Sequence, residues 1–300
     1  MRSSKVSAII TTHNRKELLI KAIDSVLHQT YSNIECIVID DASDDGTKYA
    51  IEDYIQMKKI SYYYIPKYES RGGNYARNMG IKLSKGEYIA FLDDDDEWMP
   101  EKIEKQVKVL DEDASIGFVY CGSIIEKNLC KNSWMHQNIQ NKKYLEGNIS
   151  KEILIRIITT ITTTIMVRRD IMNITGMFDE NLKYWQEYEF SIRILQETNA
   201  KCVRENLILY RIIDKDRCRL SNKIEGWENA VHYIEDKHKD LICTLNKEED
   251  NLRQVYICID GFLRGKKAGS IKYMCKYALK IILNKDLRKV AIKKMRNRNL

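Results

Sequence analysis

Short runs rich in β-branched and aromatic residues recur through the first third of the chain, each followed by a stretch with apolar positions at helical spacing. Val6 to Thr11 precedes Lys16 to His28, Ile34 to Ile39 precedes Thr47 to Met57, Ile60 to Ile65 precedes Asn74 to Leu83, and Tyr88 to Leu92 precedes Pro100 to Leu110. Strands and helices taking turns in this way mark βαβ units, whose parallel strands share one sheet that the helices cover. The expected fold is therefore α/β, with a Rossmann-like, mostly parallel central sheet flanked by helices. In such a sheet the turns after the strands gather on the carboxyl edge, where ligands bind. Three of these turns are unusually polar: Thr12 to Arg15, Asp40 to Gly46, and Asp93 to Glu97.

Beyond Leu110 the regularity lapses. The pattern predicts a strand at Gly117 to Ile125, a polar excursion at Lys127 to Lys143, a strand at Thr162 to Val167, a helix at Gln186 to Glu197, and short strands near Cys202 and at Leu207 to Arg211. From about Ile224 it is helical to the end, with breaks expected at Gly265 and Gly269. This divides the chain into an α/β domain over 1–222 and a helical, basic C-terminal extension over 223–300 that packs on it. Between Arg264 and Arg298 thirteen Lys or Arg stand against the single acid Asp286, an electrostatic footprint for an anionic partner. The segment Ile271 to Leu283 interleaves Ile271, Met274, Cys275, Ala278, Leu279, Ile282 and Leu283 with Lys272, Lys276 and Lys280. Such a helix either lies peripherally on an anionic membrane or docks its apolar face on the α/β domain.

With 300 residues of which 44% are apolar, the chain has ample material for a buried core. No secretory signal is expected at its start, and Ile153 to Val167 is too short and too polar to span a bilayer. A cytoplasmic protein follows as the expectation, peripheral at the inner face of the cell membrane if the tail binds lipid. The eight cysteines stand singly, at 36, 121, 130, 202, 218, 243, 258 and 275, several in apolar patterns where a reduced Cys acts as a small hydrophobe. No CxxC pair suggests zinc. The five histidines are scattered without metal-ligand spacing, and only His13 falls by the polar edge. The run Tyr62-Tyr63-Tyr64 reads as a strand. Nucleic acid is excluded as a partner, because the basic tail brings no motif that reads bases.

The chemistry concentrates in three places. In Asp93-Asp94-Asp95-Asp96-Glu97 carboxylates crowd directly behind a strand, and such a cluster is stable chiefly when a cation or hydrogen-bond donors neutralise it. The Asp-x-Asp spacing of Asp93 and Asp95 suits a divalent ion shared with water and phosphate, and the apolar strand before it and Trp98, Met99 and Pro100 after it are poor surroundings for a merely solubilising turn. In Asp40 to Thr47 the carboxylates can accept hydrogen bonds from a base N–H or a ribose hydroxyl; a binding role is expected for Asp41 and a helix-capping role for Ser43. In Arg71 to Gly80 two glycines open a helix beside Arg71 and Arg77, cationic forks suited to phosphate. Arg77 is equally suited to hold the acidic run in place.

Taken in order, Val6 to Arg15, Ile37 to Ser43, Ala76 to Ile81, Gly86 to Asp96 with Trp98 and Pro100, Gly176 to Glu180, and Gln186 to Arg193 resemble the family 2 glycosyltransferases over roughly residues 5 to 215. The resemblance implies a GT-A fold and a nucleotide-sugar donor, a UDP-sugar. It matches Thr11 and Asp41 to contacts with the base, Asp95 to a ligand of a divalent metal, Mn²⁺ or Mg²⁺, and Asp93 or Asp94 to the ribose and metal. Arg71 or Arg77 would lie by the diphosphate, with His13, Asn14 and Arg15 on the donor side. Glu187 falls where the family usually carries an Asp as general base. This chain departs from the pattern at Thr11 in place of Pro, His13 in place of Tyr, and Ala42 in place of Gly. Behind Tyr210-Arg211 no His follows, leaving Asp214 or Arg217 as substitutes.

A diphosphate leaving group needs its charge neutralised, and the attacking hydroxyl needs a base. With Glu187 as that base, a single displacement inverts the anomeric carbon. The acceptor would be a glycan or a lipid-linked hydroxyl in cell-surface polysaccharide synthesis, with Trp185 and Tyr184 either stacking on it or belonging to the core. Two other readings remain. A sugar-phosphate nucleotidyltransferase wants a Gly-rich phosphate loop after the first strand, and Thr11 to Arg15 contains no Gly. A catalytically weak nucleotide-sugar-binding protein is the other.

Overall fold

A computed structural model describes residues 4–129, 132–138, 145–158, 161–213 and 224–296. The side chains of 127–144 lie outside that description; within the polar excursion expected at Lys127 to Lys143 only the backbone of 127–129 and 132–138 is described, and it is strand. Also outside it are Cys130, Cys218, Asp214, Arg217 and the 222/223 boundary.

The first half follows the expected alternation: β1 (Val6–Thr12), α1 (Lys16–Leu27), β2 (Ile34–Asp41), the short helices α2 (Thr47–Ala50) and α3 (Glu52–Gln56), β3 (Ser61–Ile65), α4 (Gly73–Leu83), β4 (Tyr88–Asp93), β5 (Glu97–Trp98) and α5 (Lys102–Glu112). The second half runs through β6 (Ile116–Leu129), β7 (Asn132–Asn138), α6 (Glu152–Ile155), a 3₁₀ turn (Thr162–Thr164), β8 (Met166–Arg168), α7 (Arg169–Thr175), α8 (Gln186–Glu197) and β9 (Asn199–Ile213). The extension comprises α9 (Ile224–Lys237), α10 (Lys239–Ile242), α11 (Lys247–Lys267), α12 (Ile271–Leu283) and α13 (Lys285–Arg296).

One sheet carries the strands in the order β3-β2-β1-β4-β8-β6-β9-β5, with β7 paired to β6. Strands β3, β2, β1 and β4 are mutually parallel, as are β6 and β9, while β8, β5 and β7 run against their neighbours. The mostly parallel, helix-covered sheet is thus as expected, and both its faces are covered, which is why its strands read as continuous apolar runs. Val6, Ala8 and Ile10 of β1 face a core shared with Leu19, Ile23, Ile103 and Val107, while Ile9 faces Phe91, Phe178 and Phe190. Gly80 of α4 lies so close to β1 that an added methyl would overlap the Ile9 side chain.

Four local expectations are corrected. The helix drawn from Thr47 to Met57 is two pieces meeting at Ile51. Thr162 to Val167 is not one strand: its threonines form the 3₁₀ turn and only Met166 onward pairs, because the Thr163 and Thr164 hydroxyls take up hydrogen bonds inside the fold. The two short strands near Cys202 and Leu207 are one strand, β9, with register shifts against β6. Gly265 sits inside α11, where it admits Tyr273 and Met274 of α12, and only Gly269, at φ 66°, breaks the helix.

The extension packs on the rest of the chain. Trp227 is fully buried in the same core as Phe178, Trp185 and Phe190, and Tyr277 of α12 joins that core. Cys36, Cys121, Cys202 and Cys258 are buried and unpaired, while Cys243 and Cys275 are exposed and also free; burial pushes the Cys36 thiol up to about 12, as befits a packing residue. No helix among the described residues is long and apolar enough to cross a membrane.

Candidate functional site

The carboxyl edge of β1, β2 and β4 brings the three polar turns together. Register places Thr11 beside Ile39 on one side and Asp93 on the other, so residues 82 positions apart in sequence share one rim. The first two turns are fastened to each other. His13 donates from Nδ1 to the Asp41 carbonyl (2.6 Å), the Asn14 amide donates to Ser43 Oγ (2.8 Å), and the Asp44 amide donates to Asn14 Oδ1 (2.7 Å). Asn14 adopts φ 54°, which Asn tolerates better than most residues.

This geometry corrects the capping role given to Ser43. Asp45 is the residue that accepts from the Thr47 amide (3.1 Å), and it also accepts from the Lys16 amide at the start of α1 (3.1 Å). The paired aspartates at the end of β2 divide their work. Asp40 is occupied by the Tyr62 hydroxyl (2.7 Å) and the Ser43 amide (2.9 Å). Asp41 keeps a buried Oδ1 with no hydrogen-bond partner. A buried, unmatched acceptor is costly and rare, which makes Asp41 the member of the pair suited to meet a ligand donor.

The acidic run alternates. Asp94 is nearly buried, accepting from Thr12 Oγ1 (2.8 Å) and Arg15 (3.0 Å), and burial raises its carboxyl to about 6 against the opposing pull of Arg15. Asp96 is completely buried, between the Thr163 hydroxyl (2.7 Å) and the Arg211 amide (3.1 Å), and burial with the charges of Asp95 and Asp93 holds it well above the usual carboxylate range. Asp93 and Asp95 keep 30% and 18% of their side-chain surface, against 6% for Asp94. The two open carboxylates are therefore the Asp-x-Asp pair.

Arg15 reaches Asp95 as well (3.4 Å). Arg77 is buried with its guanidinium on Asp93 (2.6 Å) and over the Phe178 ring, so it holds the acidic run. Arg71 is exposed and lies over Tyr75. Among the described residues no group of three or more His, Cys, Asp or Glu surrounds a metal position. Two open carboxylates supply hard oxygen ligands of the kind Mg²⁺ and Mn²⁺ take, leaving the remaining positions to phosphate and water.

Glu187 sits in the first turn of α8, two residues after Trp185, whose φ of 55° is a strained conformation for a bulky residue. Burial raises its carboxyl to about 7; its own amide and the charge of Arg77 pull down, and Asp93 pushes up. Its titration thus responds to the Arg77–Asp93 pair. Trp185 does not open toward an acceptor. It is 8% exposed and packs edge-on against Tyr188 (5.3 Å) and Trp227 (5.6 Å), so the structure assigns it to the core. Where the tail's Trp227 would stand was invisible to local pattern.

Two contributors escaped the sequence reading. Thr163, fully buried, accepts from the Asp93 amide (3.3 Å) while donating to Asp96; a threonine run inside an apolar stretch reads as strand, and its only signal was three hydroxyls where a core wants none. Asn74 and Asn78 of α4 clamp the 178–182 segment, Asn74 on the carbonyls of Asp179 (2.8 Å) and Leu182 (2.7 Å), Asn78 on that of Phe178 (2.9 Å).

Comparison with known proteins agrees with the fold. The model for glycosyl transferase family 2 matches residues 7–175. An uncharacterised glycosyltransferase of Rickettsia typhi is 33% identical over 230 residues, covering 75% of this chain and 70% of its own. A UDP-Glc:α-D-GlcNAc-diphosphoundecaprenol β-1,3-glucosyltransferase of Escherichia coli is 39% identical over 123 residues, 41% of this chain and 47% of that protein. Among solved structures, residues 1–349 of Staphylococcus aureus TarS bound to UDP-GlcNAc superpose with TM-score 0.59 at 15% identity, covering 98% of this chain and 92% of that one. A mannosyltransferase of Pyrobaculum calidifontis in complex with GDP-Man and Mn²⁺ does so with TM-score 0.58 at 16% identity, covering 98% and 88%. The GT-A fold is common to these structures and this one, the nucleotidyltransferase reading falls away, and the chain belongs to glycosyl transferase family 2 as a glycosyltransferase.

Proposed function

We propose that this enzyme moves a sugar from a UDP-sugar to a hydroxyl of a glycan or lipid-linked acceptor, with inversion, in cell-surface polysaccharide synthesis. The observation that carries this reading is the alternation of the acidic run, which opens Asp93 and Asp95 on the same sheet edge as the unmatched Oδ1 of Asp41. Asp41 accepts from the base, with Thr11, His13 and Asn14 bordering the nucleotide. Asp93 and Asp95 hold a divalent ion, Mn²⁺ or Mg²⁺, which when bound neutralises charge on the departing diphosphate. Arg15, which already reaches Asp94 and Asp95, and Arg71 serve the phosphates, and Arg77 keeps Asp93 in place.

Glu187 takes the proton from the acceptor hydroxyl. That oxygen forms a bond to the anomeric carbon from the face opposite the diphosphate, which leaves with the bonding electron pair. The E. coli relative acts on a diphosphoundecaprenol-linked sugar and the TarS structures hold UDP and UDP-GlcNAc, which favours the uridine donor and the lipid-linked acceptor here. A thermal-shift panel of nucleoside diphosphates and their sugars, with and without Mn²⁺, tests the donor side. A Mn²⁺-dependent shift with UDP that disappears in Asp95→Ala is expected; absence of a metal-dependent shift for every nucleotide overturns the reading. A product retaining the donor's anomeric configuration by NMR overturns the single displacement.

The same reading places the enzyme at the inner face of the cell membrane. Helix α12 has two apolar sides. Tyr277 is buried and Tyr273 and Ile281 pack on the core, whereas Ile271, Leu279, Ile282 and Leu283 stay exposed, with Lys272, Lys276 and Lys280 alongside. An outward apolar stripe bordered by lysines suits an anionic bilayer. Co-sedimentation with phosphatidylglycerol vesicles is expected to fall on the surface change Leu279→Glu with Ile282→Glu, and unchanged binding overturns the placement.

A further inference from the structure

The alternation of the acidic run needs a cause, since four adjacent carboxylates have no intrinsic reason to face alternately inward and outward. Thr12 and Arg15 draw Asp94 inward from the β1 side. On the opposite side the 3₁₀ turn Thr162–Thr164 presents one hydroxyl at the crossing point. Thr163 Oγ1 accepts from the Asp93 amide (3.3 Å) and donates to Asp96 Oδ2 (2.7 Å), while Asp96 Oδ1 takes the Arg211 amide (3.1 Å). The main chain closes the same turn, with the Asp96 amide on the Asp93 carbonyl (3.1 Å). Thr163 therefore touches the first and last residues of the run, and both Asp93 and Asp95 lie within the span it fixes.

The support behind Thr163 is itself anchored. Gln106 of α5 donates to the Thr164 carbonyl (2.9 Å) and accepts from the buried Lys102 (2.7 Å), whose ammonium lies 4.3 Å from the centre of the Trp98 ring. Arg211 uses its side chain on Glu97 (2.6 Å) and Glu126 (2.8 Å), so its amide is held where Asp96 meets it. These contacts stiffen the turn.

We propose that Thr163 is a positioning residue for the Asp93–Asp95 pair: its hydroxyl spans the run and sets the outward direction of the two carboxylates that bind the divalent ion. This rests on the reading of those carboxylates as metal ligands. Thr163 touches neither ligand nor metal; it acts through Asp93 and Asp96. Groups that orient metal ligands typically change affinity about 10–100-fold when removed.

The test is calorimetric titration of UDP into the full-length protein, with Mn²⁺ and with EDTA, for the parent, Thr163→Val, Thr163→Ala and Thr163→Ser. Valine matches threonine in shape and lacks the hydroxyl; alanine carries the same expectation with no risk of crowding. The expected result is a loss of about 10–100-fold in Mn²⁺-dependent UDP affinity for both, with affinity in EDTA unchanged and near-parental binding in Thr163→Ser. Melting temperatures run in parallel establish that the variants are folded. Parental Mn²⁺-dependent affinity in either folded variant overturns the proposal, and so does a loss that is equal with and without Mn²⁺. Asp95→Ala separates the two layers of argument. If it abolishes the Mn²⁺ increment while Thr163→Ala keeps it, only the positioning role fails; if Asp95→Ala also keeps the increment, the metal reading fails.

Discussion

Glu187 and Glu189 stand two residues apart in the first turn of α8, and their surroundings differ in nearly every respect. Glu189 is fully buried and, against the upward push of burial, hydrogen bonds from His238 (3.2 Å), Arg193 (2.8 Å) and Lys237 (2.9 Å) hold its carboxyl far below the ordinary range. Lys237 carries the network on to Asp179, which also takes the Tyr233 hydroxyl (2.8 Å). Among the described residues no such cage surrounds Glu187, and burial raises it to about 7. The same side chain on the same helix is in one place an ion held for structure and in the other, with a carboxyl near neutrality, the base we propose. Paired groups whose environments drive their titrations apart are the usual way to separate the two roles.

The largest effect expected from breaking this contrast is on turnover. Glu187→Gln should lower kcat by about a hundred- to ten-thousandfold, the range that a general base supplies, without loss of thermal stability, because a carboxyl held at about 7 gains little from ionising in place. In the parent, kcat should climb with pH through about 7 as the carboxylate forms. Release of UDP from the donor that the binding panel selects measures both. Undiminished turnover in Glu187→Gln would assign the base elsewhere while leaving the donor site intact.

Next comes stability. Glu189→Gln leaves Arg193, Lys237 and His238 facing a neutral amide, and breaking a buried pair costs about 3–5 kcal/mol. The pH dependence should have opposite signs at the two sites. Glu189 is depressed on folding, so its contribution is complete above the ordinary value of 4.5 and is lost as pH falls below it. Glu187 is raised, so the folded state holds its proton more tightly and stability declines as pH rises from about 4.5 to about 7. Denaturant melts from pH 3 to pH 8 would show Glu189→Gln removing the acid limb and Glu187→Gln flattening the neutral one. The same response in both variants would dissolve the distinction.

The contrast was only half legible in the sequence. Alternating β and helical patterns gave the sheet, and the sheet gave the edge, because covered parallel strands must be apolar throughout and their turns must fall on one side. The four aspartates were visible too. Which of them face outward was not, because that is decided by groups far away in the chain: Thr12 at 82 residues from Asp94, Thr163 at 67 and Arg211 at 115 from Asp96. Trp185 looked like an acceptor platform for the same reason, since the side chain that covers it, Trp227, arrives from the extension. Local pattern reports which face of an element is apolar; it does not report what distant hydroxyl or ring will meet it.

The smallest effect concerns Ala42, which follows Asp41 and stands where the family commonly has Gly. Its φ of 64° explains the glycine: the turn out of β2 is left-handed, and an L side chain there costs about 1–2 kcal/mol. Ala42→Gly removes that strain but withdraws a buried methyl worth ~0.8 kcal/mol and frees the unfolded chain by about 0.4–1 kcal/mol. The terms nearly cancel, so the melting temperature should move little and UDP affinity should stay as in the parent. Ala42→Val keeps the same φ requirement and adds a β-branch, for which this region is an outlier, so it should destabilise the protein and weaken UDP binding by displacing Asp41. If valine were instead tolerated at no cost to either, the turn that aims the Asp41 carboxylate would not be the left-handed one, and the donor side of the comparison would need a different origin for its unmatched acceptor.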